Sequence, residues 1–231
     1  MAGDPATGRR ACTLAAVAMV AALCAPGCAI TTMTLETPPH ARVTMATSVG
    51  EGREIALVVP FADRRATPQR CGMKKNGYNM DTADILCAEP PNQWLAALLA
   101  EELRKAGFRV AADPRQAGPG ALRLEGTLTQ FFLEPDVGFF TFSPEADIEL
   151  RLVASAPSGL VAERRFYCKG RETALSGLEE NFRLAADSAV RDMLVRVVAA
   201  VAELVRQYPD IGLPPRVGAL AARRTGGEVA R

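Results

Sequence analysis

The chain has 231 residues, 48% of them hydrophobic and 23% charged, a balance that suits one soluble globular domain with tails. Its 27 basic and 26 acidic side chains nearly cancel, which removes the electrostatic case for a nucleic-acid binder. The single histidine, His40, lies in the Pro-rich stretch Thr37-Pro38-Pro39-His40, so a Ser-His-Asp triad, a Cys-His pair and histidine zinc sites are excluded from the folded part.

The first stretch reads as a routing segment. Arg9 and Arg10 precede the uncharged run Leu14–Leu23, and Ala25-Pro26-Gly27 then lead to Cys28. The run is too short for a membrane span, which needs about 20 apolar residues. It fits the hydrophobic core of a secretory signal peptide. Small residues before Cys28 resemble the lipobox of bacterial lipoproteins, in which the cysteine is acylated and becomes the mature N-terminus. Ala25 and Pro26 depart from that pattern, and cleavage nearby without a lipid is the competing reading. Cleavage before Cys28 removes Asp4, Arg9 and Arg10 and leaves 25 basic and 25 acidic residues. The expected division is signal peptide 1–27, lipidated N-terminus and flexible tether 28–52, one α/β domain 53–208, and a mobile tail 209–231.

The domain opens with Glu54–Phe61, a continuous apolar run between Gly52 and Pro60 that predicts a buried strand. Ala41–Thr47, before it, is a candidate short edge strand. Asp63-Arg64-Arg65 follow, then a long loop to Pro91 that carries Cys71, the turn pair Asn76-Gly77, and Cys87. Loops of this length are either functional or tied down. In an exported protein a Cys71–Cys87 disulfide would tie it, with Cys168 left as a buried thiol; pairing of Cys168 with one of the others is the rival. Asn92 is placed as N-cap of a helix over Gln93–Ala106, with Trp94, Leu95, Leu98, Leu99 and Leu103 on its apolar face and Gly107 at C′.

Phe108–Ala112 reads as a short edge strand, and Asp113–Gly120 as a turn-rich linker. Leu122–Phe131 and Ile148–Ala154 alternate apolar and polar residues, as strands with one wet face do. Between them Phe132–Pro144 is read as a connection bearing Phe139, Phe140 and Phe142. Pro157-Ser158-Gly159 makes a hairpin turn into the strand Val161–Cys168. Over Leu178–Gln207 the apolar positions recur at three and four, which predicts a long amphipathic helix stopped at Tyr208-Pro209. The expected fold is a two-layer α/β (α+β) sandwich, a mixed and largely antiparallel sheet with two helices on one face.

A family comes into view at this point. Cys28, the strand end Val59-Pro60-Phe61-Ala62-Asp63-Arg64, the helix phrase Trp94–Phe108 and the strand Leu124–Leu128 resemble the YajG-like bacterial lipoproteins. More loosely, they resemble lipoproteins that assist envelope transport and assembly machines. The likeness spans Ile55 to Leu204, and departs from the family at the Cys71–Cys87 loop and the Phe139–Phe142 segment. It implies a small periplasm-facing domain with no known active site to carry over.

The candidate sites are therefore few. Cys28 would carry the lipid. Asp63 and Arg64 are a candidate partner-binding corner, weighed against a capped, solvated loop. Phe139, Phe140 and Phe142 are a candidate membrane or partner contact, weighed against phenylalanines that fold back onto the core. The carboxylate pairs Glu101-Glu102 and Glu179-Glu180 sit adjacent on helices, point apart, and make no catalytic dyad. No metal or other cofactor is expected. The resulting reading is a non-enzymatic lipoprotein, held at a membrane through Cys28, outer rather than inner. It would face the periplasm and bind or scaffold an envelope protein. A carrier with an apolar cavity under the long helix and a hydrolase using two converging carboxylates are the alternatives.

Overall fold

The computed structural model describes residues 31–37, 48–111, 113–138, 141–173 and 178–213. The signal segment, Cys28, Ala41–Thr47, Phe139, Phe140 and the chain beyond residue 213 lie outside the described residues.

Eight strands form one mixed sheet. In chain order they are β1 (Met33–Leu35), β2 (Glu54–Asp63), β3 (Arg70–Lys75), β4 (Asp81–Cys87), β5 (Arg109–Ala111), β6 (Leu122–Val137), β7 (Phe142–Ala156) and β8 (Gly159–Arg171). Helix α1 (Pro91–Lys105) follows β4, and helix α2 (Glu179–Gln207) follows β8. The 16-residue β6 is the spine. On one side it pairs antiparallel with β7 along its length, and β7 with β8. On its other side β2 runs parallel to its first half, and β3 takes over at Gly72–Leu133. β5 lies outside β2, and β4 and β1 outside β3.

The pleat explains the burial. Leu122, Leu124 and Leu128 face the core, then a bulge between Leu128 and Gln130 shifts the phase, so that Phe131 and Leu133 face it next. Both helices cover this face. Trp94 of α1 meets Phe131 edge to face at 5.6 Å, and Phe182 of α2 meets Phe142 at 5.9 Å. The expected two-layer sandwich is therefore the fold. Two close approaches need glycine. A Cβ on Gly170 of β8 would stand 2.0 Å from the Ala185 carbonyl oxygen of α2, and one on Gly126 would stand 2.4 Å from the Phe61 ring.

The ends of α1 divide the expectations. Gly107 holds φ +89°, its N–H donating to Arg104 and the Phe108 N–H to Leu103, which is a Schellman close. Asn92 is not the N-cap. The helix starts at Pro91, whose ring presets the first helical φ, and the Asn92 amide instead donates to the Phe61 carbonyl at 2.8 Å.

Other boundaries move because long-range pairing overrides local composition. The 64–91 segment is no open loop: it is the β3–β4 hairpin turned at Asn76-Gly77. The 132–144 connection is mostly strand, and the Gly138 N–H donates to the Thr141 carbonyl at 2.9 Å. The tether expected over 28–52 contains β1, which pairs parallel with β4 in the register Met33–Ile85, Leu35–Cys87. Val49 also packs on the core, and Gly50 donates to Ala106. The tail expected from residue 209 begins instead with a docked turn. Ile211 packs on the core, and the Gly212 carbonyl accepts from Glu54 at 2.8 Å.

Candidate functional site

The strand-end corner is built around Arg65 rather than Arg64. The Arg65 side chain is buried; its Nη2 donates to Asp63 at 2.8 Å and its Nη1 to the Arg70 carbonyl, and it also contacts the Cys71 sulfur at 3.5 Å. Asp63 also accepts from the Arg65 backbone at 3.1 Å. Burial pushes the Asp63 carboxyl up, but the Arg65 hydrogen bonds outweigh it and hold the group below its ordinary value. Asp63 is thus engaged inside the protein. Arg64 faces outward while its N–H donates to the Leu128 carbonyl at 2.9 Å. The two candidate contact residues thus differ in setting, Asp63 bound to Arg65 and Arg64 exposed.

Cys71 and Cys87 are bonded across the hairpin, with Cα atoms 5.6 Å apart, and Cys168 is a buried free thiol. Phe142 resolves its own question: it is half-buried against Phe182, part of the core's edge.

A site that periodicity does not signal lies between β2 and α1. β5 pairs with β2 at Glu54–Ala56, and among the described residues no strand lies beside the outer edge of Leu57–Pro60. The register of β2 slips between Val58 and Ala62, and Val59 and Pro60, joined by a cis peptide bond, stand out from the sheet. Across from them α1 presents Gln93, Ala97, Ala100, Glu101 and Arg104. Together they line an open cleft of about 470 Å³. Val59, Pro60, Ala97 and Ala100 make its small apolar walls, with Gln93 toward the start of α1 and Glu101 and Arg104 toward its end. The sequence signal that could have found it is the pair of alanines at helical spacing opposite a proline inside a strand.

The face of β6–β8 away from the helices carries crossed charges. Lys169 pairs with Glu145 at 2.7 Å and lies 4.0 Å from Asp147; Arg171 bridges Glu145 and Asp136; Arg151 pairs with Glu163 at 2.7 Å. The Tyr167 hydroxyl donates to Asp147, and that hydrogen bond, with burial, raises its pKa. Exposed cross-strand pairs of this kind each contribute about 0.2–1 kcal/mol. Glu145 and Asp147 do converge, but on a flat face with Lys169 between them. Under α2, where the carrier alternative needs room, the cavity lined by Leu152, Phe166 and Val201 holds about 10 Å³, too small for a lipid. Among the described residues no cluster of three metal-ligating side chains forms, and no helix is long and apolar enough to cross a membrane.

With this geometry in hand, the comparisons place the chain. A family described as uncharacterized lipoprotein matches residues 40–199, more than half of the sequence, and the chain belongs to that family. This is the YajG-like group that the sequence resembles. No curated protein matches it significantly. Among solved structures, it is similar to protein XCC0632 from Xanthomonas campestris, at 16% identity and TM-score 0.49, covering 78% of this chain and 99% of that one. It is also similar to rare lipoprotein B from Shewanella oneidensis, at 12% identity and TM-score 0.31 over 67% and 96% of the two chains. A PelC dodecamer from Paraburkholderia phytofirmans matches at 17% identity and TM-score 0.35 over 65% and 89%. At these scores the likenesses carry no functional information.

Proposed function

We propose that this lipoprotein is a non-catalytic binding or scaffolding module, acylated at Cys28, anchored at the outer membrane and facing the periplasm. The observation that carries the binding role is the cleft. A strand edge with no partner among the described residues, two exposed apolar residues and an alanine-lined helix face form a surface suited to an extended apolar segment of an envelope protein. Among the described residues Asp63, Asp113 and Glu163 are held below their ordinary values through arginine contacts, so none of these three is poised as a general acid.

The test has two arms. Feeding cells an alkyne fatty acid should label the wild type and not Cys28→Ala; equal labelling of both removes the anchor. A photo-crosslinker at Ala97 should trap one discrete protein, while the same probe at Arg123 on the opposite face should not. Trapping of the same species at both positions, or at Arg123 alone, removes the cleft as the binding surface.

A further inference from the structure

The described chain begins at Thr31, at one end of the sheet, and that end has a shape of its own. β1 runs parallel to β4, so the chain before Met33 runs toward the start of β4, where the β3–β4 hairpin turns. The Lys74 ammonium donates to the Thr31 carbonyl at 3.3 Å, fixing that residue beside the end of β3. The register carried back from Met33–Ile85 sets Thr31 level with Ala83. Cys28 lies three positions before Thr31, and Met80 three positions before Ala83. Three steps of chain span at most about 11 Å, so Cys28 lies within about 11 Å of Thr31, a distance that also reaches from Ala83 to Met80.

Among the polar residues Asn76, Asn79 and Asp81, the tip exposes two large apolar side chains. Tyr78 is 86% exposed and Met80 56%. The Asn76 carboxamide accepts from the N–H groups of Tyr78 and Met80 at 2.9 and 3.1 Å, so the turn is built and holds both residues out. Tyrosine, with an apolar ring and a polar tip, is a residue of bilayer interfaces. β3, β6 and β8 end at this same end, and so does the start of α2, where Leu178 is 61% exposed. Lys75 pairs with Glu134 at 2.8 Å, Arg171 with Asp136 at 2.9 Å and Lys169 with Glu145, and Asp81, Glu179 and Glu180 add exposed negative charge at the same end. An anionic surface is therefore not what this end selects.

We infer that the sheet end bearing Tyr78 and Met80 rests on the bilayer in which the Cys28 lipid is held, with the turn in the headgroup layer. This rests on acylation at Cys28. The domain would then stand on the membrane by two points, lipid and hairpin, rather than swing on a long tether. From the end of β6 to Glu125, level with Val58, is twelve residues, so the cleft is held roughly 40 Å up the sheet, away from the lipid.

The experiment uses the full chain, made with its leader and purified from membranes into phosphatidylcholine vesicles that contain a spin-labelled lipid quencher. A fluorophore is placed at Gly77→Cys, in open space beside the tip, or at Ser158→Cys in the β7–β8 turn at the far end. Cys168 is buried and does not take the dye. The expected result is quenching several-fold stronger at position 77 than at 158, unchanged by 1 M salt or by added anionic lipid, and lost in Tyr78→Asp/Met80→Asp. Mass spectrometry of the N-terminal fragment is run on the same sample. An acylated protein with equal quenching at both positions, with none at 77, or with quenching that survives the double substitution, overturns the resting surface and leaves the anchor standing. A chain without acyl groups overturns both.

Discussion

Removing the Cys71–Cys87 bond tests how one side of the sheet is held. β1 joins the sheet through β4, β4 through β3, and β3 meets β6 at the single register pair Gly72–Leu133. The bond crosses this hairpin between residues 16 apart. Closing a loop of that size removes entropy from the unfolded chain and stabilises by about 3 kcal/mol. Alanine is the right replacement, because Cys71 is fully buried and a serine hydroxyl left unbonded there would cost a further 1–3 kcal/mol or so. Cys71→Ala/Cys87→Ala should therefore lose about 3 kcal/mol in urea unfolding. For a domain of this size its melting temperature should fall by about 6–12 °C. Wild type reduced with a thiol should unfold with the double variant. An unchanged urea midpoint, with reduction verified by thiol counting, would refute the reasoning: the hairpin would then be fixed by its ladder and core contacts alone.

Gly170→Ala drives a methyl into the Ala185 carbonyl oxygen and the Ala189 nitrogen, both backbone atoms that cannot rotate away, and should cost about 3 kcal/mol by chemical denaturation. A loss below about 0.5 kcal/mol would mean that α2 sits farther from β8. Burial, then the charge and hydrogen bond of Asp192, push the Cys168 thiol up to about 12. Its folded pKa thus exceeds its unfolded one, so its contribution is whole below the unfolded value of 9.0 and is lost as pH rises toward about 12. Iodoacetamide at pH 8 should leave the native protein unmodified and alkylate Cys168 in urea. Cys168→Ala should flatten the fall in stability across that alkaline window, and an identical slope in both proteins would contradict the assignment.

The sites divide by range. The Cys71–Cys87 pairing was readable because compartment, spacing and a long connection all favoured it. Asp63 was readable as a strand-end residue, but its partner was not, because Arg65 is placed by the carbonyl of Arg70 and the Cys71 sulfur, which only the fold brings near. The Val59–Pro60 cleft was hidden for a similar reason. Its existence depends on where β5 stops and how α1 lies across β2, and neither is written in the local pattern.

By itself the sequence determined the elements whose evidence is periodic or capped: α1 to its Gly107 close, α2 over nearly all of its 29 residues, and the alternating strands β6 and β7. It also carries the run of apolar and small residues before Cys28 on which the proposed leader rests. Tertiary structure decided the rest. Met33–Leu35 has three residues, too few to show a period, and becomes a strand only because β4 offers it a parallel edge. Hydrogen bonds between strands are non-local, and the information for them is divided between distant segments. For this chain that difference turns a reading of a free tether into a sheet attached three residues from its proposed lipid.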